Sequence, residues 1–256
     1  MSDQQPTEQT PLAQAAPPAE RQIQTDTVKP VMTYVIMGVT VLVFIAQLLV
    51  QKLTGYDLLF LYLGKIREAI LVGQLWRLVT PILLHGSVLH IGFNMYALYV
   101  LGTRLEGIYG HWRFLLLYLL AGFGGNVLSF VLTPAASLGS STAIFGLLAA
   151  EVVFILQNRQ FFGQRTGSML MNLVMIMLVN LVIGLNPSMN IDNYGHLGGL
   201  LAGLIFASLA GPKWKLQRTE LEVRLVDIRG KKEIWVAAAI VFIGFGLMAA
   251  IPFLPK

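Results

Sequence analysis

Seven long runs of apolar residues, separated by shorter polar segments, constrain this chain more than any other feature. Of its 256 residues, 55% are hydrophobic and only 12% are charged, whereas soluble domains carry roughly 25% charged residues. A helix needs about 20 mostly apolar residues to cross a bilayer. On this criterion we predict membrane-spanning helices at 31–51, 79–102, 113–133, 141–157, 167–185, 194–211 and 234–253.

The predicted fold is an all-α, polytopic membrane helical bundle. Residues 31–211 form a six-helix core, and residues 234–256 add a seventh, C-terminal transmembrane helix. Residues 1–30 are rich in Gln and Pro and contain no apolar run, so we predict a disordered cytoplasmic tail. Segment 52–78 is apolar but interrupted by Gly and charged residues, which favours a loop partly submerged in the membrane. Residues 212–233 form a basic cytoplasmic loop.

Lys and Arg are distributed unevenly among the segments that connect the predicted helices. If the N-terminus is cytoplasmic, thirteen of the 18 Lys and Arg residues fall in inner segments and five in outer ones. Because inner segments carry this excess in membrane proteins, we predict a multi-pass protein of a bacterial cell membrane, with its N-terminus inside and its C-terminus outside. The basic cluster 213–232 is expected to contact anionic inner-leaflet lipid, and no nucleic-acid binding is predicted.

Polar residues cluster near the starts of the second, fourth and sixth predicted helices. Such groups are costly inside a membrane and usually face a protein interior or a water-filled cavity. They are His85, His90 and Asn94 on the second helix, Ser140, Ser141 and Thr142 on the fourth, and Asn193 and His196 on the sixth. Since all three helices begin at the outer face, we predict one polar site near that surface.

Ser141 and His196 are the candidates for a nucleophile and its base. A serine hydroxyl becomes nucleophilic when a neighbouring base accepts its proton. These residues meet only if the fourth and sixth helices touch. The sixth helix carries glycines at the four-residue spacing that allows close packing of membrane helices, namely Gly195, Gly199 and Gly203. Gly139 flanks the serine on the other side.

The same site offers hydrogen-bond donors for an oxyanion. The Ser141 N–H lies in the first turn of its helix, where backbone amides have no helical acceptor and the helix dipole favours negative charge. His90 and Asn94 are four residues apart and project from one face of the second helix. The three groups are therefore candidate oxyanion donors.

No carboxylate is well placed to complete a catalytic triad. Asp192 lies in a loop before His196, and Glu151 lies about 15 Å along the fourth helix. We therefore predict a Ser–His dyad, with Phe145 stacking on the imidazole one turn after the serine. The chain contains no Cys, which excludes thiol chemistry and Cys-ligated metal, and we predict neither a metal site nor a cofactor.

Each of these residues also has a purely structural interpretation. Ser140 and Ser141 are suitable helix N-caps, and His90 and Asn94 are suitable for hydrogen bonds between membrane helices. Two further pairs are predicted to be structural, Arg104 with Glu106 and Glu151 with Asn180. The presence of a nucleophile, a base and donors at one depth favours a catalytic site.

Four motifs, in this order along the chain, resemble the rhomboid intramembrane serine proteases. They are GQLWRLVTPILLH entering the second helix, HIGFN within it, GSSTAIFG at the start of the fourth helix, and GHLGGLLAG in the sixth. The resemblance extends from about Leu63 to Gly203. It implies a six-helix core, to which this chain adds a seventh helix.

The resemblance also implies roles for individual residues. Ser141 corresponds to the nucleophile and His196 to the general base. The oxyanion hole corresponds to Asn94, His90 and the Ser141 amide. The pair Trp76–Arg77 matches the family's feature in the long first loop, and Glu106 matches a structural position after the second helix.

Thr142 departs from the family pattern, in which a glycine usually follows the serine. A β-branched side chain there is expected to crowd the oxyanion site or narrow the cleft, and so to modulate activity. We predict an intramembrane serine endopeptidase that cleaves transmembrane segments of membrane proteins near the outer interface. The resemblance to the rhomboid family implies segment 186–193 and the fifth helix as candidates for the gate. The alternatives are a rhomboid-like protein of weak or no activity that binds membrane clients, and a small-solute transporter.

Overall fold

The computed structural model describes residues 24–25, 27–186, 191–218 and 223–255. Within these ranges, seven long helices follow one another along the chain. They are α1 (Val31–Thr54), α4 (Val88–Tyr109), α5 (His111–Leu132), α6 (Ser141–Gln157), α7 (Arg165–Ile183), α8 (Asn193–Ala210) and α9 (Lys231–Ala250), and the short helices α2 (Leu58–Leu63) and α3 (Arg67–Leu71) lie between α1 and α4. The structure confirms the predicted all-α helical bundle.

Helices α5, α6 and α8 form the centre of the bundle and pack extensively on one another. Most residues of α5 and α6 are buried. Helix α9 packs against α5 and α8, and α1 packs on α4. Helix α7 packs mainly on α6, and Leu173 is the single buried residue of this helix. The two helices that carry the candidate nucleophile and base are therefore central, whereas α7 is peripheral.

Four helices are long and apolar enough to cross a membrane by length and composition. They are Val31–Thr54, His111–Leu132, Arg165–Ile183 and Lys231–Phe253. Helix α6 is apolar but shorter, and α4 and α8 bury polar residues such as Asn94, Glu106 and His196. The criterion thus omits three of the predicted spans, α4, α6 and α8. These are the helices that carry the predicted polar site. The polar side chains of α4 and α8 are buried within the protein. These helices can therefore belong to a membrane bundle although their mean hydropathy is low.

The second predicted helix begins at Val88 and not at residue 79. Two 3-10 turns precede it, and the second turn, Thr80–Leu83, contains Pro81 in its first positions. The Ser87 hydroxyl caps α4 by accepting a hydrogen bond from a backbone N–H of the first turn (3.1 Å). A proline and a serine cap therefore define this boundary, and the continuous apolar run does not reveal it.

Trp76 and Arg77 hold together the segment between α1 and α4. The Arg77 guanidinium is buried and donates to the carbonyl oxygens of Gly64 (2.8 Å) and Leu61 (2.6 Å). The Trp76 indole donates to the carbonyl oxygen of Tyr62 (3.0 Å). Both side chains therefore satisfy backbone acceptors at the end of α2 and stabilise the loop.

A small sheet lies at the end of the bundle opposite the polar site. Strand β1 (Gln24–Thr25) pairs in parallel with β3 (Val223–Asp227), which pairs antiparallel with β2 (Trp214–Arg218). From the sequence, only a basic loop is predicted at residues 212–233, and the sheet was not expected. Of the predicted disordered tail, residues 1–23 and 26 lie outside the described residues.

The two predicted structural pairs are wrong, because the structure gives these residues other partners. The carboxylate of Glu106 accepts hydrogen bonds from two backbone N–H groups in the first turn of α1, each at 2.7 Å. Arg104 pairs with Glu151 at 2.9 Å and so joins α4 to α6. The Asn180 amide donates within its own helix. Glu106 thus caps α1 from another helix, which is a contact that sequence spacing does not indicate.

Candidate active site

Ser141 and His196 lie in contact where their helices begin. Ser141 is the first residue of α6, and His196 lies in the first turn of α8. The distance from Ser141 Oγ to His196 Nε2 is 2.9 Å, which is within hydrogen-bond range. The Phe145 ring stacks on the imidazole, with ring centroids 4.2 Å apart and planes 10° from parallel. Ser141 is partly exposed, whereas His196 is only 6% exposed.

Glycines on α8 allow this contact by bringing its backbone against α6. A Cβ on Gly199 would lie 1.9 Å from the carbonyl oxygen of Thr142. A Cβ on Gly203 would lie 2.3 Å from the carbonyl oxygen of Gly146. Real Cβ contacts are essentially never shorter than 3.0 Å, so a larger residue at either position would force the helices apart. The predicted contact between the fourth and sixth helices is confirmed.

Asp192 caps α8 and does not contact the imidazole. Its Oδ1 accepts a hydrogen bond from the Gly195 N–H at 2.8 Å, and its Oδ2 accepts one from the Ser129 hydroxyl of α5. In the described part of the chain, His196 Nδ1 has no hydrogen-bond partner. The Asp192 carboxylate therefore stabilises the first turn of α8 and is not a third member of the dyad's hydrogen-bond chain. An Asp at the start of a helix is a recognisable N-cap signal, so the role of Asp192 could be found from the sequence, whereas the contact with Ser129 could not.

His90 and Asn94 lie beside the loop that leads to Ser141. Gly139 of this loop has a φ of +127°, and a Cβ there would lie 2.8 Å from His90 Nε2 and 3.8 Å from Asn94 Nδ2. The Gly86 N–H donates to His90 Nδ1 (3.5 Å), which leaves Nε2 as the protonated nitrogen. Asn94 is 7% exposed, and its Nδ2 has no acceptor among the described residues. Two side-chain donors thus remain available next to the serine loop.

His85 contacts Ser140, the last residue of the loop that leads to Ser141. It precedes α4, so its predicted position on the second helix is wrong. Its Nε2 lies 3.3 Å from Ser140 Oγ, and its ring meets His90 edge-to-face at 4.9 Å. Burial, with a contribution from the neighbouring His90, lowers the pKa of His85 to about 3. A neutral His85 therefore contacts both the residue before the candidate nucleophile and a candidate oxyanion donor.

Lys65 also holds the loop before Ser141, through Ser137 and Ala135, and this role was not predicted from the sequence. Its backbone N–H and carbonyl pair with Ser137, both at 3.0 Å. Its ammonium group is buried and donates to the carbonyl oxygen of Ala135. Burial lowers the pKa of Lys65, and the nearby Asp192 carboxylate opposes this shift. The segment between α1 and α4 thereby holds the residues that precede the serine.

Thr142 packs away from the His90–Asn94 side. It is 4% exposed. A Cβ on Gly125 of α5 would lie 2.6 Å from Thr142 Cβ, and a Cβ on Gly195 of α8 would lie 2.9 Å from Thr142 Cγ2. Two glycines therefore provide the space for this side chain between α5 and α8. The Thr142 methyl group therefore does not crowd the oxyanion donors, contrary to the expectation from the sequence.

The arrangement has the parts required for acyl transfer. The Ser141 hydroxyl can donate its proton to His196 Nε2, as nucleophile activation requires. Ser141 is the first residue of α6, so its N–H lies at the helix start. Gly139, two residues earlier, lies beside the side chains of His90 and Asn94. Backbone and side-chain N–H groups of this kind stabilise the oxyanion of a tetrahedral intermediate.

Comparison with known proteins finds the rhomboid family. A family model described as the rhomboid domain matches residues 72–213. The chain is 40% identical over 183 residues to the rhomboid protease GluP of Bacillus subtilis, in an alignment covering 72% of this chain and 35% of that protein. It is 39% identical over 144 residues to RHOMBOID-like protein 1 of Arabidopsis thaliana, which covers 55% of this chain and 36% of the relative. It is 36% identical over 151 residues to Rhomboid-like protease 3 of Toxoplasma gondii, covering 55% and 56%.

The alignments with the first bacterial and plant relatives span only 35% and 36% of those proteins. The family match nevertheless covers more than half of this chain, and it includes α4, α6 and α8, the three helices that carry the candidate residues. Ser141, His196, His90 and Asn94 all lie within it. The comparisons thus confirm the resemblance on which the sequence analysis relied, and the chain belongs to the rhomboid family.

Proposed function

We propose that this chain is an intramembrane serine endopeptidase that cleaves transmembrane segments of other membrane proteins. The observation that carries the proposal is the distance of 2.9 Å between Ser141 Oγ and His196 Nε2, with Phe145 stacked on the imidazole. Two relatives whose names include the word protease also support it. Ser141 is the nucleophile and His196 the general base of a Ser–His dyad.

The reaction begins when Ser141 Oγ attacks the carbonyl carbon of the scissile peptide bond. His196 Nε2 accepts the hydroxyl proton as the bond to carbon forms. The resulting oxyanion accepts hydrogen bonds from the Ser141 N–H, Asn94 Nδ2 and His90 Nε2. His196 then gives its proton to the leaving amine, and the peptide bond breaks. Water hydrolyses the acyl-enzyme with His196 again as the base.

Phe145 and Asp192 have positioning roles in this reaction. Stacking on Phe145 limits rotation of the imidazole about its Cβ–Cγ bond, which preserves the Nε2–Oγ contact. Asp192 holds the first turn of α8 through the Gly195 N–H and Ser129. Both residues act on His196 without taking part in proton transfer.

The proposed orientation places the dyad near the outer face of a bacterial cell membrane. The N-terminus is cytoplasmic and the C-terminus outside, because the inner segments then carry most Lys and Arg residues. A substrate helix has to unwind before its carbonyl can be attacked, so substrates should contain helix-weakening residues near the cut. Helix α7 is the proposed gate, since it buries only Leu173 and packs mainly on α6. Residues 187–190 of the other proposed gate segment lie outside the described residues.

Labelling with a fluorophosphonate tests the proposed nucleophile. This probe phosphonylates serines activated by a base, so the wild-type protein should be labelled and the variants Ser141→Ala and His196→Ala should not. Ser140→Ala is the matched control, because it removes the hydroxyl of the adjacent, fully buried serine. It should retain labelling. Labelling that persists in Ser141→Ala would remove the serine assignment.

The second candidate function is a rhomboid-like protein that binds membrane clients without cleaving them. Thr142 favours it, because the family usually has glycine after the serine, and Thr142 Oγ1 is buried without a partner among the described residues. This function predicts co-purification of client membrane proteins and no fluorophosphonate labelling. The same labelling experiment therefore distinguishes the two functions.

A further inference from the structure

A groove lies between the N-terminal ends of α5 and α9, at the opposite end of the bundle from the dyad. It has a volume of about 330 Å³, and it is lined by Trp112, Arg113, Leu116, Lys231, Ile234 and Trp235. The indoles of Trp112 and Trp235 are 72% and 65% exposed. Exposed indoles at the end of a transmembrane helix are typical of the level of the lipid head groups. The groove therefore opens where a bilayer meets water.

The charge around the groove is positive. Lys231 and Lys232 are exposed, and neither takes part in an ion pair with any residue that the structure describes. The Arg113 guanidinium is already paired, since it donates to Asp227 at 2.7 Å and to the carbonyl oxygen of Arg229 at 3.1 Å. Glu233 also lies in the first turn of α9, and its carboxylate accepts a hydrogen bond from the Gly230 N–H. Lys231 lines the groove and Lys232 is the next residue of α9, so two ammonium groups without an ion pair remain near its mouth.

The floor and the continuation of the groove are apolar. Leu116 and Ile234 line it, and both side chains also pack against the hydrophobic core of the bundle. Farther along the same helices, Leu119 is 37% and Phe242 is 59% exposed. Since α5 and α9 are both apolar enough to cross a membrane, this surface faces lipid chains. The site is therefore polar at its mouth and apolar along its length.

We propose that this groove binds one anionic phospholipid of the inner leaflet. The phosphate accepts hydrogen bonds from Lys231 and Lys232, and the indoles enclose the glycerol region. One acyl chain lies along Leu116. Basic pockets between transmembrane helices on the cytoplasmic side bind anionic head groups. The assignment to the inner leaflet depends on the proposed orientation, and the site itself does not depend on proteolytic activity.

Native mass spectrometry of the purified full chain in detergent tests the proposal. The protein is titrated with phosphatidylglycerol or with phosphatidylcholine carrying the same acyl chains. Phosphatidylglycerol should occupy one site at concentrations where phosphatidylcholine does not bind. In the double variant Lys231→Gln/Lys232→Gln the affinity should fall about thirtyfold, since each lysine near an anionic surface contributes roughly a factor of five.

The control is the double variant Arg159→Gln/Arg165→Gln, which removes the same charge from two exposed residues at the same end of the bundle but outside both the groove and the basic cluster 213–232. It should change the affinity less than threefold. Leu116→Trp fills the groove without changing charge and should weaken binding at least tenfold. Equal weakening by the two double variants would indicate a diffuse electrostatic attraction and would overturn the proposal. Equal binding of phosphatidylcholine, or unchanged binding to Leu116→Trp, would also overturn it.

Discussion

Gly199→Ala is expected to separate the dyad without touching either member of it. Gly199 lies three residues after His196 on α8, and its Cβ would lie 1.9 Å from the carbonyl oxygen of Thr142, the residue after Ser141. A Cβ contact needs at least 3.0 Å, so α6 and α8 must move apart by about 1.1 Å. The Ser141–His196 distance of 2.9 Å would then approach about 4 Å, which is too long for a hydrogen bond.

This displacement sets the expected size of the effect. A misplacement of about 1 Å in a catalytic site can reduce the rate about a hundredfold. Overpacking of the helix contact should also lower the free energy of unfolding by about 1–3 kcal/mol. The assay is the second-order rate constant of fluorophosphonate labelling, measured together with the thermal unfolding midpoint to establish that the variant is folded.

Gly244→Ala is the matched control for this substitution. Gly244 lies on α9, where an added Cβ would have no neighbour within 4 Å. The control adds the same methyl group to a helix, so its labelling rate should stay within about twofold of wild type, because no contact in the site depends on it. If Gly199→Ala is folded and is labelled at the wild-type rate, close helix packing does not set the dyad geometry, and the reasoning is refuted.

Three further substitutions test individual contacts of the site. Thr142→Gly should keep the labelling rate within about threefold, because the side chain packs between α5 and α8, and should lower the free energy of unfolding by about 2 kcal/mol; labelling ten times faster than wild type would mean that Thr142 blocks the oxyanion donors. Phe145→Leu should slow labelling about tenfold, since an aromatic pair contributes up to about 1.5 kcal/mol, and an unchanged rate would exclude a positioning role. The third test concerns pH, because the pKa of His85 is about 3 in the folded protein and 6.5 is its ordinary value. The unfolded chain binds the proton first, so the free energy of unfolding should fall as the pH drops below about 6.5. His85→Gln should lose less stability than wild type between pH 7 and pH 4, and equal losses in the two proteins would contradict the assignment.

The helix contact that brings the dyad together could be predicted because its cause is local. Gly195, Gly199 and Gly203 recur every four residues, and this spacing places them on one face of a helix whatever surrounds it. The polar residues at the helix starts were also visible, since uncharged apolar runs surround them. The apolar runs therefore predicted the fold class, and the glycine spacing predicted the contact between the two helices that carry the candidate pair.

Contacts between distant segments could not be predicted in this way. Glu106 caps the first turn of α1 from a position more than 70 residues away, and Lys65 holds the loop before Ser141. No spacing rule connects such pairs. The start of α4 was misplaced for a different reason, because Pro81 and the Ser87 cap end an apolar run that hydropathy treats as continuous.

The small sheet at the other end of the bundle illustrates the same limit. Its strands are only two to five residues long, and β1 reaches β3 across almost the whole length of the chain. Half-buried and exposed side chains alternate along β3, but five residues are too few for this pattern to identify a strand in the sequence. Charge was the dominant signal in this segment, and it predicted a basic loop.

Cleavage of a model transmembrane substrate by the purified protein tests the central claim most directly. The protein and a single-pass substrate with helix-weakening residues near its outer end are reconstituted together in liposomes, and the products are identified by mass spectrometry. We predict one cut within the transmembrane segment for the wild type and for Ser140→Ala, and none for Ser141→Ala or His196→Ala. Cleavage that continues in Ser141→Ala, or a wild-type protein that cuts no such substrate, would contradict the account.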